Sequence, residues 1–263
     1  MELTLGQAEF DNWIRFAGKY DSNHFYVGSA RMLGASGPFV HGMLSLLAVK
    51  QHVAQHSVIE NEPESSWLKF RALFRAPIPH NNALVLTTDS YSRGLRFHVR
   101  DDAASVEYLR GAYGFSSNPE QKIADKPWVI NSEAQIADQR WCDFYFFYRD
   151  VQYPWIAMNA IVFADFIQSK VDTLRELTIP HANKVFGLGG GKTTIHASHT
   201  VTFDASLLAT HGQGKPNIEK VSYRVLEPDL ILGKNHLICT MSLVVMANSR
   251  TIMLIEIGLV IKN

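Results

Sequence analysis

The chain has 263 residues, 46% hydrophobic and 19% charged, a globular balance that excludes a disordered chain and leaves room for one large or two modest domains. Its 25 Lys and Arg cancel its 25 Asp and Glu, and no basic cluster is present of the kind that displaces counterions from phosphates, so no nucleic-acid partner is expected. Two cysteines, Cys142 and Cys239, are too few for a disulfide framework or a Cys-ligated metal site and point to a reducing cytoplasm. The acidic N-terminus, with Glu2, Glu9 and Asp11, is unlike a secretory signal. The longest uncharged apolar run, Val151 to Ala164, is too short to span a bilayer and contains Gln152 and Asn159, so a soluble protein is expected.

In chain order, Leu5 to Phe16 reads as a short amphipathic helix, and Gly18 to Pro38 as a loop rich in Gly, Ser and Asn. A helix is predicted from His41 to about His56, where Leu44, Leu47, Ala48 and Ala54 are spaced for one buried face. After the polar break Glu60 to Ser66, strands are predicted at Trp67 to Phe74, Ala83 to Tyr91, Leu95 to Arg100 and Ser105 to Phe115. Pro77-Ile78-Pro79 and Arg93-Gly94 read as turns between them. Ser116 to Lys126 reads as a linker.

The second half repeats the order. A strand is predicted at Phe144 to Val151, then a helix from Pro154 to about Glu176, with Pro in the first turn where its missing N–H costs nothing. Apolar on nearly all sides from Trp155 to Ala164, that helix should be buried and wrapped by a sheet. Strands at Lys192 to Asp204, Asn217 to Val225, His236 to Asn248 and Thr251 to Lys262 complete an α+β pattern that occurs twice.

The segment AGKYDSNHFYVGSARMLGASGPFVHGMLS, Ala17 to Ser45, carries the chemistry. A helix N-terminus offers free backbone N–H groups and partial positive charge to a polarised carbonyl. Gly42, just inside the helix, lacks a Cβ and would let that carbonyl approach its amide. His24 titrates near neutrality and can take and return a proton, while Asp21 can orient it or activate water. The alternative is a glycine-containing turn that merely precedes a core helix.

This stretch resembles the signature of the MaoC-like dehydratases and (R)-specific enoyl-CoA hydratases of the hotdog superfamily: Gly-Asp-x-Asn-Pro-x-His, an Ala-Arg or Ala-Lys pair, Gly-Pro, and His-Gly-Met opening the central helix. Gly18, His24, Ala30-Arg31, Gly34, Gly37-Pro38 and His41-Gly42-Met43 fit without gaps, and Leu68-Lys69-Phe70-Arg71 with Ala76-Pro77-Ile78 look like the strand and turn that follow. The likeness spans residues 5 to 115. In this register Lys19 stands where the family has its catalytic Asp, Asp21 falls on the Asn, and Ser22 replaces the Pro; matching Asp21 and Asn23 to the Asp-x-Asn pair instead puts Tyr26 at the histidine position.

The resemblance implies a double hotdog, with a MaoC-like unit over residues 1–118 and a second unit over 126–263 that lacks the family's catalytic motif. It implies His24 as acid/base, Asp21 as the group that orients or activates water, and the Gly42 amide on the thioester carbonyl, with Asn23, Tyr26, Pro38 and His41 around the substrate. The reaction expected is hydration of 2-enoyl thioesters or its reverse in fatty-acid or polyketide-type metabolism. The acyl group rides on coenzyme A or acyl carrier protein, which enters as part of the substrate, so no resident cofactor or metal is expected. A non-catalytic acyl-thioester binder and an acyl-CoA thioesterase are the alternatives, since one fold hosts many activities. A homodimer is expected from open sheet edges and closed symmetry.

Other features carry less. Gly187-Leu-Gly-Gly-Gly-Lys192-Thr193 lacks the first glycine of a phosphate loop, where Phe186 stands, and is followed by a strand pattern rather than a helix. His196 and His199, three apart, would face opposite sides of a regular strand and so make poor joint ligands; they are expected at the surface or hydrogen-bonded. Asp143, Tyr145, Tyr148 and Asp150 are expected to straddle a strand.

Overall fold

The structure, a computed structural model, describes residues 1–18, 40, 42–56, 66–79, 82–101, 103, 105–129, 133–169, 193–208 and 220–262, with residues 193 and 194 as backbone only. Ten strands form one antiparallel sheet in the order β1-β3-β4-β5-β2-β7-β10-β9-β8-β6. The first half supplies β1 (Glu2–Thr4), α1 (Gln7–Ala17), the buried helix α2 (Gly42–His56), β2 (Trp67–Phe74), β3 (Ala83–Tyr91), β4 (Gly94–Asp101) and β5 (Val106–Ser116). The short helix α3 (Glu120–Ala124) follows in the expected linker. The second half supplies β6 (Ala134–Gln135), α4 (Asp138–Phe147), a buried helix α5 over 154–169, β7 (Thr193–Asp204), β8 (Val221–Leu232), β9 (His236–Ala247) and β10 (Arg250–Lys262). A long helix lying against antiparallel strands in each half is the α+β arrangement expected of a hotdog fold.

Two turns are set by backbone conformation. Gly94 has φ +148°, and a Cβ there would lie 2.0 Å from the Tyr113 carbonyl oxygen, so the tight β3–β4 turn requires glycine. Asn248 and Ser249 both have positive φ, the two-residue turn whose twist suits the β9–β10 hairpin.

The seam between the halves is the β2–β7 pair, in register from Trp67↔Asp204 to Leu73↔Ser198. Trp155, in the first turn of α5, lies over this seam, stacked on Phe203 of β7 (ring centroids 4.5 Å) and Tyr113 of β5 (5.9 Å) and tilted against Phe70 of β2 (5.9 Å). A residue of the second half is thus fully buried among strands of both, and one hydrophobic cluster runs through both halves. On the opposite face of the sheet, Ile123 of α3 packs on Leu226, Val244 and Leu254, and Lys122 and Lys126 pair with Glu256 and Asp229. That the polar linker crosses the second half's outer face follows from the packing of its buried Ile123.

The structure extends one expected strand, β8 running to Leu232 beyond the expected end at Val225, and changes the type of another element. The strand expected at Phe144 to Val151 is helical through Phe147, in α4. Its aromatic run has strand propensity, yet Trp141, Phe144 and Tyr148 recur at helical spacing, and Phe144 and Tyr148 both meet Phe16 of α1 (5.3 and 6.2 Å). Asp143, Tyr145 and Tyr148 therefore belong to a helix and its end, with burial pushing the Tyr145 hydroxyl up to about 12. The helix expected from Pro154 is present to 169; its continuation lies outside the described residues, as does the loop from Lys19 to Phe39.

Candidate functional site

Gly42 opens α2, and no acidic side chain lies in the helix's first turn. The chain is fixed just before it by Val40, whose N–H donates to the Ile78 carbonyl (2.8 Å). Ser45 Oγ donates back to the Gly42 carbonyl (2.7 Å). Nine of the fifteen residues of α2 are buried, and Gly42 at its tip is half-buried.

An imidazole lies against this helix tip, and it comes from the second half. A Cβ on Gly42 would stand 2.6 Å from His196 Nδ1 and 2.9 Å from Phe74 Cζ, so the absence of a side chain at residue 42 is what admits the ring. The imidazole stacks on Phe163 of α5 (6.0 Å, interplanar angle 14°) and leans on Phe74 of β2 (4.7 Å).

Behind it, His199 is fully buried, its ring 5.4 Å from that of His196. Its Nε2 lies 3.1 Å from Asn159 Oδ1. Lys50 Nζ donates to the same oxygen. Lys50 also lies 3.7 Å from Met43 Sδ and 5.4 Å from the centre of the Phe70 ring. Lys50 and Asn159 are both fully buried, and desolvation holds the Lys50 amine well below the usual lysine range. Asn159 Nδ2 has no hydrogen-bond partner among the described residues. This cluster joins α2, α5 and β7.

That arrangement overturns the expectation that His196 and His199 face opposite sides of β7. A β-bulge intervenes: opposite β10, Ser198 pairs with Gly258 and His196 with Leu259, so Ala197 is the extra residue. One residue of slippage turns both imidazoles to the helix side of the sheet. Gly258 makes room, since a Cβ there would lie 2.1 Å from Ser198 Oγ.

A second polar group sits farther along α5. Asp165 accepts from Tyr223 Oη (2.8 Å) and faces Arg140 Nε (3.9 Å). Arg140 donates to the Phe16 carbonyl (3.2 Å) and to Gln168 Oε1, and Gln168 Nε2 donates to the Ala17 carbonyl. Gly18, at φ +89°, lies against the Gln168 amide.

Of the residues singled out in the sequence, Gly42 stands at the helix tip as expected. Asp21, Asn23, His24, Tyr26, Pro38 and His41 lie outside the described residues. The chain that flanks them is fixed on both sides, at Gly18 against Gln168 of α5 and at Gly42 against His196. His196, His199, Asn159 and Lys50 were missed. Two signals were available: a polar Asn159 within an apolar helix, and Gly258 within an apolar strand, where glycine marks a bulge. Among the described residues no three His, Cys, Asp or Glu side chains gather as a metal site, and no helix is long and apolar enough to cross a membrane.

No family model and no curated protein matches the chain. Solved structures that resemble it include the dehydratase domain of RzxB from Pseudomonas fluorescens (8% identity, 86% of each chain, TM-score 0.49). Others are HtdX of Mycobacterium tuberculosis (11% identity, 97% of this chain and 96% of that one, TM-score 0.43) and the acyl-CoA thioesterase II TesB2 of Mycobacterium marinum (9% identity, 84% and 88%, TM-score 0.43). These are distant likenesses of chain path.

Proposed function

We propose that this chain is a double hotdog enzyme that adds water to 2-enoyl thioesters, or removes it from 3-hydroxyacyl thioesters, carried on coenzyme A or acyl carrier protein. The observation that carries the reading is the tip of α2: the backbone amide of a residue with no side chain of its own, at the positive end of a mostly buried helix, with the His196 imidazole and the Phe74 ring beside it.

Both directions of the reaction pass through an enolate of the thioester. An amide aimed at the carbonyl oxygen is in place before that charge develops, and loss of one such donor from comparable oxyanion sites costs about 3 kcal/mol. Gly42 supplies the amide. In this reading His24 acts as acid/base, Asp21 orients or activates the water, and Asn23, Tyr26, Pro38 and His41 line the acyl site. The thioester brings its own activating carbonyl, so the chemistry asks for no resident metal or redox group.

The test is hydration of crotonyl-CoA by the full chain, followed by loss of the enoyl absorbance, beside a binding titration with butyryl-CoA. His24→Ala is expected to lower turnover about 100-fold or more, the scale of a lost general acid–base group. Unchanged turnover in that variant would refute the role of His24. Release of free thiol would identify a thioesterase instead, and binding of both thioesters without any reaction would identify a binder.

A further inference from the structure

We infer that His52 and His56, at the far end of α2 from Gly42, form a two-nitrogen site for a late first-row divalent metal ion such as Zn2+. The inference is independent of the acyl-thioester reading. Gly42 and His56 are the first and last residues of the fifteen-residue helix, about 21 Å apart at the helical rise.

Residues four apart on a helix stand on one face, so two histidines at that spacing can each offer a nitrogen to a single ion. Here the two imidazoles already lie together, with ring centroids 4.0 Å apart and an interplanar angle of 35°. His56 Nδ1 stands 2.9 Å from the His52 carbonyl oxygen. A carbonyl only accepts, so Nδ1 carries the proton, and the neutral ring presents the lone pair of Nε2 to a metal. In metal sites a backbone carbonyl on the second nitrogen of a ligand histidine fixes its tautomer and raises its basicity. His56 is exposed and His52 half-buried, so an ion can approach from solvent.

The surroundings select the ion. The pair occupies the last turn of α2, where carbonyls without helical partners form the negative end of the dipole and favour a cation. Against this, the Met1 ammonium, held on the Leu86 carbonyl (2.8 Å), opposes positive charge at His52. Neither ring has an ion pair with a carboxylate among the described residues. Two nitrogens without carboxylates do not suit Ca2+ or Mg2+, which take oxygen ligands. Imidazole suits Zn2+, Ni2+ and Cu2+. The ion takes one nitrogen from each ring at about 2.0–2.1 Å, the rings rotating to converge on it, and water fills its remaining positions. Because the unfolded chain does not hold the two rings one turn apart, the ion binds the folded chain better and stabilises it.

The experiment has two arms on the full-length chain. In the first, ZnCl2 is titrated into protein labelled with 15N in its histidine rings. The ring signals of His52 and His56 are expected to shift together over the first equivalent. Zinc at up to about 1 mM that leaves either signal unmoved overturns the inference. In the second, His52→Gln and His56→Gln are each expected to weaken zinc binding at least about 10-fold, the smaller effect of disturbing even the partner of a metal ligand. Each is also expected to lose the rise in unfolding temperature that zinc gives the parent. Variants that bind zinc as the parent does overturn the inference. The labelling arm uses the parent alone, so it decides the question even if a variant does not fold. Failure of the chain to hydrate crotonyl-CoA sinks the thioester reading and leaves the zinc result standing.

Discussion

Lys50 is a residue that a central helix would seldom bury, and its surroundings give its titration a direction. Desolvation favours the uncharged amine in the folded chain, whereas the unfolded chain keeps the ordinary value of 10.5. Between those two values the unfolded state binds the extra proton, so folding stability rises with pH across that window and levels off above 10.5. Lys50→Met removes the titration while keeping much of the volume. The stability of the parent relative to Lys50→Met, measured by urea unfolding from pH 7 to pH 11, is expected to improve as pH rises, by at most about 1.4 kcal/mol per pH unit. A constant difference across that range would show that the amine is not shifted. None of this is visible in the sequence, where Lys50 looks like an ordinary solvated helix residue beyond Leu47 and Ala48. Gly42 was legible, because a glycine next to a helix start has a local reason to be there.

At the scale of elements, what could be read depended on whether the signal was local. The strands from β2 to β5 fall within a residue of their expected bounds, since each alternates over its own length and ends at a turn. α4 was misread because Phe144 to Phe147 has the composition of a strand while its packing partners lie on α1, far away in sequence. The bulge in β7 was misread for a related reason: its cause stands on another strand, at Gly258 of β10. α5 was read correctly as a buried helix, and Trp155 is the side chain that most ties it to the sheet, fully buried and stacked on Phe203 and Tyr113. Trp155→Ala is expected to cost about 3–5 kcal/mol, the range for truncating a buried aromatic. Urea unfolding monitored by far-ultraviolet circular dichroism checks this, and a loss below about 1 kcal/mol would mean that the stack over the seam contributes little.

Over the whole molecule, the repeated order of one long helix and four or more strands was legible, whereas the joining of the two sets was not. The β2–β7 ladder pairs residues such as Phe70 and Val201, and no local periodicity announces a contact across that distance. Yet that ladder determines the site. It brings β7, with His196, beside Phe74 at the end of β2, and so sets an imidazole of the second half on the helix tip of the first. Side chains of both halves thus meet at the tip of α2. A crystal structure of the chain with butyryl-CoA tests most directly whether an acyl thioester docks there. The thioester carbonyl oxygen is predicted about 3 Å from the Gly42 amide nitrogen. An acyl thioester bound elsewhere, with no contact to the Gly42 amide, would contradict it.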